Sequence, residues 1–385
     1  MHLRKLILMD NLINFVKKNY LFISPVLLIL IIAQFETYSQ LTSSGTIGSA
    51  LRLSIPICLA GLGGLFSERT GVVNIGLEGM MIMGTWFGAW GGFLYGPWGG
   101  VLFGLIGGGL FGLIHAIATV SFQVDHIVSG VAINILAVGV ARFFNILAFD
   151  GIQFASSTAS PRIENKIGIF NLPYLSGGKI NGEETSNFFG YLEGLDMFLI
   201  SDVAALLLGL TSNISYFSIL ALLLVPLSIY VLWRTPLGLQ MRSVGEYPAG
   251  SESLGVNGRG FIGLASLLFG NYMPFGVLMG AGLFGFADAL QLRSEEAIHG
   301  LLLVIGIFLL IITIKNLISK NRNSSIISGI FALGFIFWFV NSTSVPIQFI
   351  YFTPHLTTLV VLSFSSQKLR IPKADGIPYK KGESA

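Results

Sequence analysis

Residues 68–84 read Glu68-Arg-Thr-Gly-Val-Val-Asn-Ile-Gly-Leu-Glu-Gly-Met-Met-Ile-Met-Gly84. The run sets two carboxylates, a guanidinium, an amide and four glycines between two long apolar stretches. Charge at membrane depth is expensive, and a span that retains it usually lines a cavity or a solute path. The glycines suit a broken or closely packed helix whose freed backbone groups face that cavity. A short polar loop between two spans is the plain alternative. Asn74 and Glu78 are four apart, so on a continuous helix they would share a face. An amide and a carboxylate on an otherwise apolar wall can donate to and accept from a neutral, hydroxyl-rich solute.

Further ionisable or amide side chains sit inside apolar segments: Arg52, His115, Asn134, Arg142 and Asp288. Facing lipid would be costly for each, so most must point into the bundle or towards the headgroups. Asp125 and His126 read as a loop between spans, and Arg142 as a side chain that snorkels outward. His115 reads as one partner of an interhelical hydrogen bond. Asp288, followed by Gln291, adds a polar cluster near a membrane end and joins Asn74 and Glu78 as a candidate path residue. Catalytic signatures are missing. No His/Cys cluster has metal-ligand spacing, and there is no G-x-S-x-G elbow. No G-x-x-x-x-G-K-[ST] loop is present, so ATP-driven work would need a separate subunit, and no cofactor is expected.

The elements that carry these residues follow from composition. Hydrophobic residues make up 53% of 385 and charged residues 11%, and the mean hydropathy is +0.77. A polytopic membrane protein, all-α and in contact with lipid, is the class this composition allows. The net charge of +3 reflects lysine and arginine placement in loops and does not point to nucleic acid. The single cysteine, Cys58, excludes an intramolecular disulfide and reads as packing. The basic N-terminus followed by the apolar stretch 21–35 lacks a small-x-small cleavage site and reads as an uncleaved first span.

Apolar stretches at 21–35, 46–66, 72–92, 98–121, 126–149, 203–233, 261–291, 297–317, 326–341 and 346–364 give about ten crossings in a single membrane domain over 1–385. Lys/Arg counts orient them. The N-terminal twenty residues, the 315–325 loop and the tail 365–385 are basic and read as cytoplasmic, so both termini are placed inside. Residues 151–202 hold six acids against three bases and read as an external loop. Five spans before that loop and five after it satisfy every assignment. Trp86, Trp90, Trp98, Trp233 and Trp338 lie near span ends, where interfacial or interhelical packing suits them. Gly104, Gly108 and Gly112 repeat every four residues and predict a close helix–helix approach. Residues 234–259 form an interior polar loop with Pro and Gly breaks and room for one short helix around 248–255.

Taken together, these blocks resemble the permease subunits of bacterial ABC importers, in the branch associated with nucleoside uptake. Ser67-Glu-Arg-Thr-Gly-Val-Val-Asn-Ile-Gly-Leu-Glu-Gly-Met-Met81 is similar to that branch's most recognisable motif. Thr235-Pro-Leu-Gly-Leu-Gln-Met-Arg-Ser-Val-Gly-Glu246 resembles the start of its ATPase-coupling loop. Gly258-Arg-Gly-Phe261, Phe284-Gly-Phe-Ala-Asp-Ala-Leu-Gln291 and Gly376-Ile-Pro-Tyr379 resemble three further blocks. The resemblance implies an all-helical bundle with a central path, in a bacterial plasma membrane. It also implies partners: ATP-binding subunits, a second permease subunit and an extracytoplasmic solute-binding lipoprotein. It places Asn74 and Glu78 near the path, and Arg242, Glu246 and Gly255 in the coupling loop. The chain departs from the family pattern in two ways. The coupling loop runs straight into Gly258 where a further span is usual, and 297–341 adds two apolar segments. Sugar or other small-solute ABC permeases, an ion-driven secondary transporter using Glu78 or Asp288, and a degenerate non-transporting protein are the alternatives.

Overall fold

A computed structural model describes residues 23–153, 155–247, 251, 272–292, 295–350 and 371–376, excluding the side chains of 295–297. Among these residues the protein is mainly helical. Its principal helices are α1 (Ile23–Ile32), α2 (Ser44–Glu68), α3 (Leu77–Ala116), α4 (His126–Phe149), α5 (Phe188–Glu193), α6 (Ile200–Thr211), α7 (Tyr216–Arg234), α8 (Pro236–Glu246), α9 (Pro274–Gln291), α10 (Glu295–Ile318) and α11 (Arg322–Asn341). Six helices are long and apolar enough to cross a membrane: α2 with the turn before it, α3 with the π-turn after it, α4, α7, α10 and α11.

Several sequence boundaries move. The stretch 72–92 does not begin as helix: residues 72–76 are non-helical and α3 starts at Leu77. Asn74 therefore precedes the helix that carries Glu78. Gly96 adopts φ +77° and Pro97 follows it, so the 40 residues of α3 are two helices joined end to end by a sharp turn. Proline lacks the N–H that a continuous helix needs there, and glycine alone takes that φ without strain. The stretch 203–233 is not one span. It divides into α6 and α7 because Asn213 takes φ +52° and Ile214–Ser215 pairs antiparallel with Ile169–Phe170. The Ser215 hydroxyl then accepts from Ser218 N at 3.0 Å and starts α7. Residues 326–341 lengthen to a 20-residue helix from Arg322, capped by Asn321. Most of 346–364 and all of 261–271 lie outside the described residues, as does the proposed short helix at 248–255 apart from Ser251.

The chain forms two compact units. One comprises Met1–Leu51, Asn171–Asn213 and Phe286–Thr357. In it α10 and α11 pack as an antiparallel pair over a core of Leu41, Leu290, Leu302 and Val345. His299 stacks on Phe339 at 4.6 Å, and its Nδ1 lies 3.0 Å from the Tyr38 hydroxyl. The segment expected outside contributes α5, whose Glu193 accepts from Ser44 N at 3.0 Å. It also contains Asp202, which accepts from Gln34 at 3.1 Å.

The other unit comprises Arg52–Phe170, Ile214–Gly285 and Thr358–Ala385. Its first core is the pair of half-helices in α3. A Cβ on Gly84 would meet Gly104 O at 3.3 Å, and one on Gly100 would meet Gly88 O at 2.8 Å. The glycine repeat thus lets the two halves lie backbone to backbone, as its spacing predicts. Trp86 packs between helices. Its indole donates to Asn145 at 2.9 Å and lies among Phe87, Trp90 and Phe144. We expect Gly100→Leu to destabilise the detergent-solubilised protein by about 1–3 kcal/mol through overpacking. Gly109→Leu, with nothing within 4 Å of its Cβ position, should leave the thermal unfolding midpoint unchanged.

Candidate functional site

α2 ends at Glu68 and α3 begins at Leu77, so eight residues between them must satisfy their backbone groups without a helix. The first part turns on itself. Thr70 Oγ1 donates to Ser67 O at 2.6 Å, and Ser67 Oγ donates to Val72 O at 2.6 Å. The second part is satisfied by side chains from two other helices. His115, in the last turn of α3, donates from Nε2 to Val73 O at 3.2 Å. Its Nδ1 lies 2.9 Å from the Ser129 hydroxyl of α4, the interhelical bond expected for it. Asn134 of α4 donates to Ile75 O at 3.0 Å and accepts from Gly79 N at 2.7 Å. One amide thus serves both the carbonyl before α3 and an orphan N–H of its first turn. Asn74 Oδ1 accepts from Gly76 N at 3.0 Å, and its Nδ2 lies 3.4 Å from Met80 Sδ.

Close backbone approach makes this possible. A Cβ on Gly130 would lie 2.7 Å from Gly76 N, so only glycine lets α4 come near enough for Asn134 to reach. The start of α4 is fixed separately: Asp125 Oδ1 accepts from Ile127 N and Val128 N at 2.9 and 3.0 Å.

The two residues of the motif fall in different environments. Asn74 is buried, 4% exposed, with both ends of its amide engaged. Glu78 is exposed in the first turn of α3, where the helix dipole favours a carboxylate. Asp288 is half-buried on α9 and belongs to the other compact unit. The structure thus brings Asn74 and Glu78 to one junction, and Asp288 is described apart from them. Asn134 and His115 are the residues that spacing did not single out. Each is polar inside an apolar helix, and that was the available signal.

α8, which carries Arg242 and Glu246, lies on the other side of the same junction. Thr235 caps α8, its hydroxyl accepting from Gly238 N at 3.2 Å, with Pro236 in the first turn. Arg242 is half-buried over the Trp233 ring at 5.8 Å, and Glu246 is exposed. Gly255 lies outside the described residues. Arg69 donates from Nε and Nη2 to Tyr272 O at 3.2 and 2.6 Å and stacks over Trp233 at 5.5 Å. A Cβ on Gly245 would collide with Arg69 O, so α8 packs its backbone directly on the junction.

No group of three or more His, Cys, Asp or Glu among the described residues could hold a metal ion. If the junction is held as described, Asn134→Leu leaves Gly79 N–H and Ile75 C=O without partners. We expect it to lower stability by about 2–6 kcal/mol in equilibrium unfolding, at about 1–3 kcal/mol per stranded group.

A family model described as branched-chain amino acid transport system / permease component matches residues 46–364. The chain is 30% identical over 380 residues to the guanosine ABC transporter permease protein NupQ of Bacillus subtilis, covering 87% of this chain and 96% of that protein. It is 28% identical to the nucleoside ABC transporter permease protein NupC of Lactococcus lactis subsp. cremoris, covering 88% of this chain and 97% of that protein. It is 26% identical over 299 residues to the putative glucose ABC transporter permease protein TsgC13 of Haloferax volcanii, covering 66% of this chain and 79% of that one. No solved structure gives a significant match. The protein is a multi-pass membrane protein, and it belongs to the branched-chain amino acid transport system permease family of ABC transporter subunits.

Proposed function

We propose that this protein is the permease subunit of an ATP-driven nucleoside importer in a bacterial plasma membrane. The observation that carries the reading is the near end-to-end similarity to two permeases named for guanosine and for nucleosides. With no ATPase site of its own, the subunit works with ATP-binding subunits, a second permease subunit and an extracytoplasmic binding lipoprotein. About ten spans run across the membrane as a single domain. The termini and the 234–259 loop face the cytoplasm, and residues 151–202 face outward. The contacts within each unit suit that orientation. Segments 34–44 and 193–202 meet at one end of the first unit. The 68–71 turn, α8 and the described part of the tail meet at one end of the second.

Glu78 lines the solute path at the start of α3, accepting from ribose hydroxyls or base amino groups. Asn74 acts beside it by shaping the break that presents Glu78. Arg242, Glu246 and Gly255 form the surface on which an ATP-binding subunit docks. A path must bind weakly so that solute leaves, and selectivity then resides mainly in the separate binding protein. Similarity to the putative glucose permease favours one second reading, a sugar as solute.

Uptake of labelled nucleosides by cells expressing the full subunit set tests the reading. We expect saturable, ATP-dependent uptake that excess glucose does not suppress; uptake of labelled glucose with no nucleoside uptake would transfer the assignment to sugars. Glu78→Leu should lower the uptake rate at least about tenfold, the scale of one well-placed hydrogen bond to a charged group. Glu78→Gln, which keeps an acceptor, should retain most of the rate, whereas an ion-driven site would lose it. Orientation is checked in a Cys58→Ser background. Ile180→Cys should react with an impermeant thiol reagent in intact cells and Lys373→Cys should not; both positions are exposed in the fold.

A further inference from the structure

The described tail, residues 371–376, lies across the same junction from the side of α8. Ala374 N donates to Gly245 O at 2.9 Å, and Gly376 N donates to Gly71 O at 3.1 Å. One short segment therefore bonds the last turn of α8 and the turn after α2. The fit is close. Gly71 has φ +83°, and a Cβ there would meet Ala374 O at 3.2 Å and Gly245 Cα at 3.5 Å. Pro372 is buried, Lys373 is exposed and residues 374–376 are half-buried, so the segment is seated at Pro372 and from Ala374 onward.

Within this seat two carboxyl groups are incompletely paired. Glu68 Oε2 and Asp375 Oδ1 are both buried and have no hydrogen-bond partner. They come from opposite sides, one from the end of α2 and one from the strap, close enough for their charges to act on each other. The groups that face them are the Tyr272 hydroxyl, held beside Glu68, and the Arg69 guanidinium, whose charge reaches Tyr272. Arg242 of α8 stacks on the same Trp233 ring as Arg69. Two facing buried carboxyls carry one negative charge far more easily than two, and a proton on one also supplies a donor.

Resting on the permease reading above, we infer that residues 371–376 are a strap that makes α8 and the α2–α3 junction move together. Asp375 is its positioning residue, and a proton on its carboxyl, buried in the same seat as Glu68, holds it there. Motion imposed on α8 by an ATP-binding subunit then reaches the break at 72–76 through two backbone hydrogen bonds and the seated Asp375 carboxyl.

The direction of the pH effect follows from burial. Desolvation pushes the Asp375 carboxyl up to about 6 from its ordinary value of 3.8. Because the seated value is the higher one, seating is strongest below the ordinary aspartate range. It weakens as pH rises towards 6 and levels off above it. Strap opening should rise about tenfold per pH unit inside that window.

Hydrogen exchange of the 371–376 peptide in the assembled transporter, corrected for intrinsic rates, reads this opening directly. For the wild type we expect about tenfold stronger protection at pH 5 than at pH 7, the effect of one unit within the window. Asp375→Asn, which mimics the protonated acid, should be equally protected at both values. Its ratio of ATP hydrolysed to nucleoside imported should no longer vary with pH as the wild-type ratio does. Wild-type protection that ignores pH, or an Asp375→Asn strap that still follows it, would overturn the inference. Should Asp375→Asn fail to assemble, the wild-type pH series decides alone. Exchange requires no solute, so a strap that behaves as expected in a complex that imports no nucleoside would defeat the substrate reading only.

Discussion

A backbone that leaves helix among apolar surroundings must find partners for every freed N–H and C=O. That constraint organises this protein. The eight residues between α2 and α3 leave helix beside long apolar segments, and each stranded buried group would cost about 1–3 kcal/mol. The surrounding residues read as the answer to that cost. Ser67 and Thr70 close the first turn. His115 and Asn134 reach in from two other helical segments to serve Val73, Ile75 and Gly79. Gly130 and Gly245 remove the side chains that would keep α4 and α8 away.

The same node joins the parts that a transporter must connect. The side towards α3 leaves Glu78 exposed, and the side towards α8 is bonded to the described tail. A break held by directional side-chain bonds can be re-set by small shifts of the helices that supply them, which a continuous helix could not do. The tight glycine pairing inside α3 contrasts with this. It holds the two halves of α3 together by close backbone packing.

Much of this arrangement was legible in the sequence, for physical reasons. Long apolar runs identify helices because lipid forbids unpaired backbone, and the Gly104–Gly108–Gly112 spacing foretold the close pair. The run at 68–84 stood out because charge and glycine are costly inside an apolar stretch. The boundaries were harder. Hydropathy registers 72–76 as apolar and cannot see that Asn74 bonds its own neighbour's N–H in place of helix. It likewise merges α6 with α7, since one left-handed residue, Asn213, and a two-residue strand pairing separate them. Asn134 and His115 were visible as polar residues in apolar helices. Their target, a backbone carbonyl tens of residues earlier, is a tertiary fact with no local signature.

The central claim is that side chains from α3 and α4 hold one shared break. A double-mutant cycle between His115→Leu and Asn134→Leu, followed by equilibrium unfolding in mixed micelles, tests it most directly. If both residues hold the same junction, losing either loosens the site the other serves. The double variant should then fall short of the sum of the singles by at least about 1 kcal/mol. Strict additivity, within about 0.5 kcal/mol, would mean that the two side chains act at independent places and that no single junction is being held.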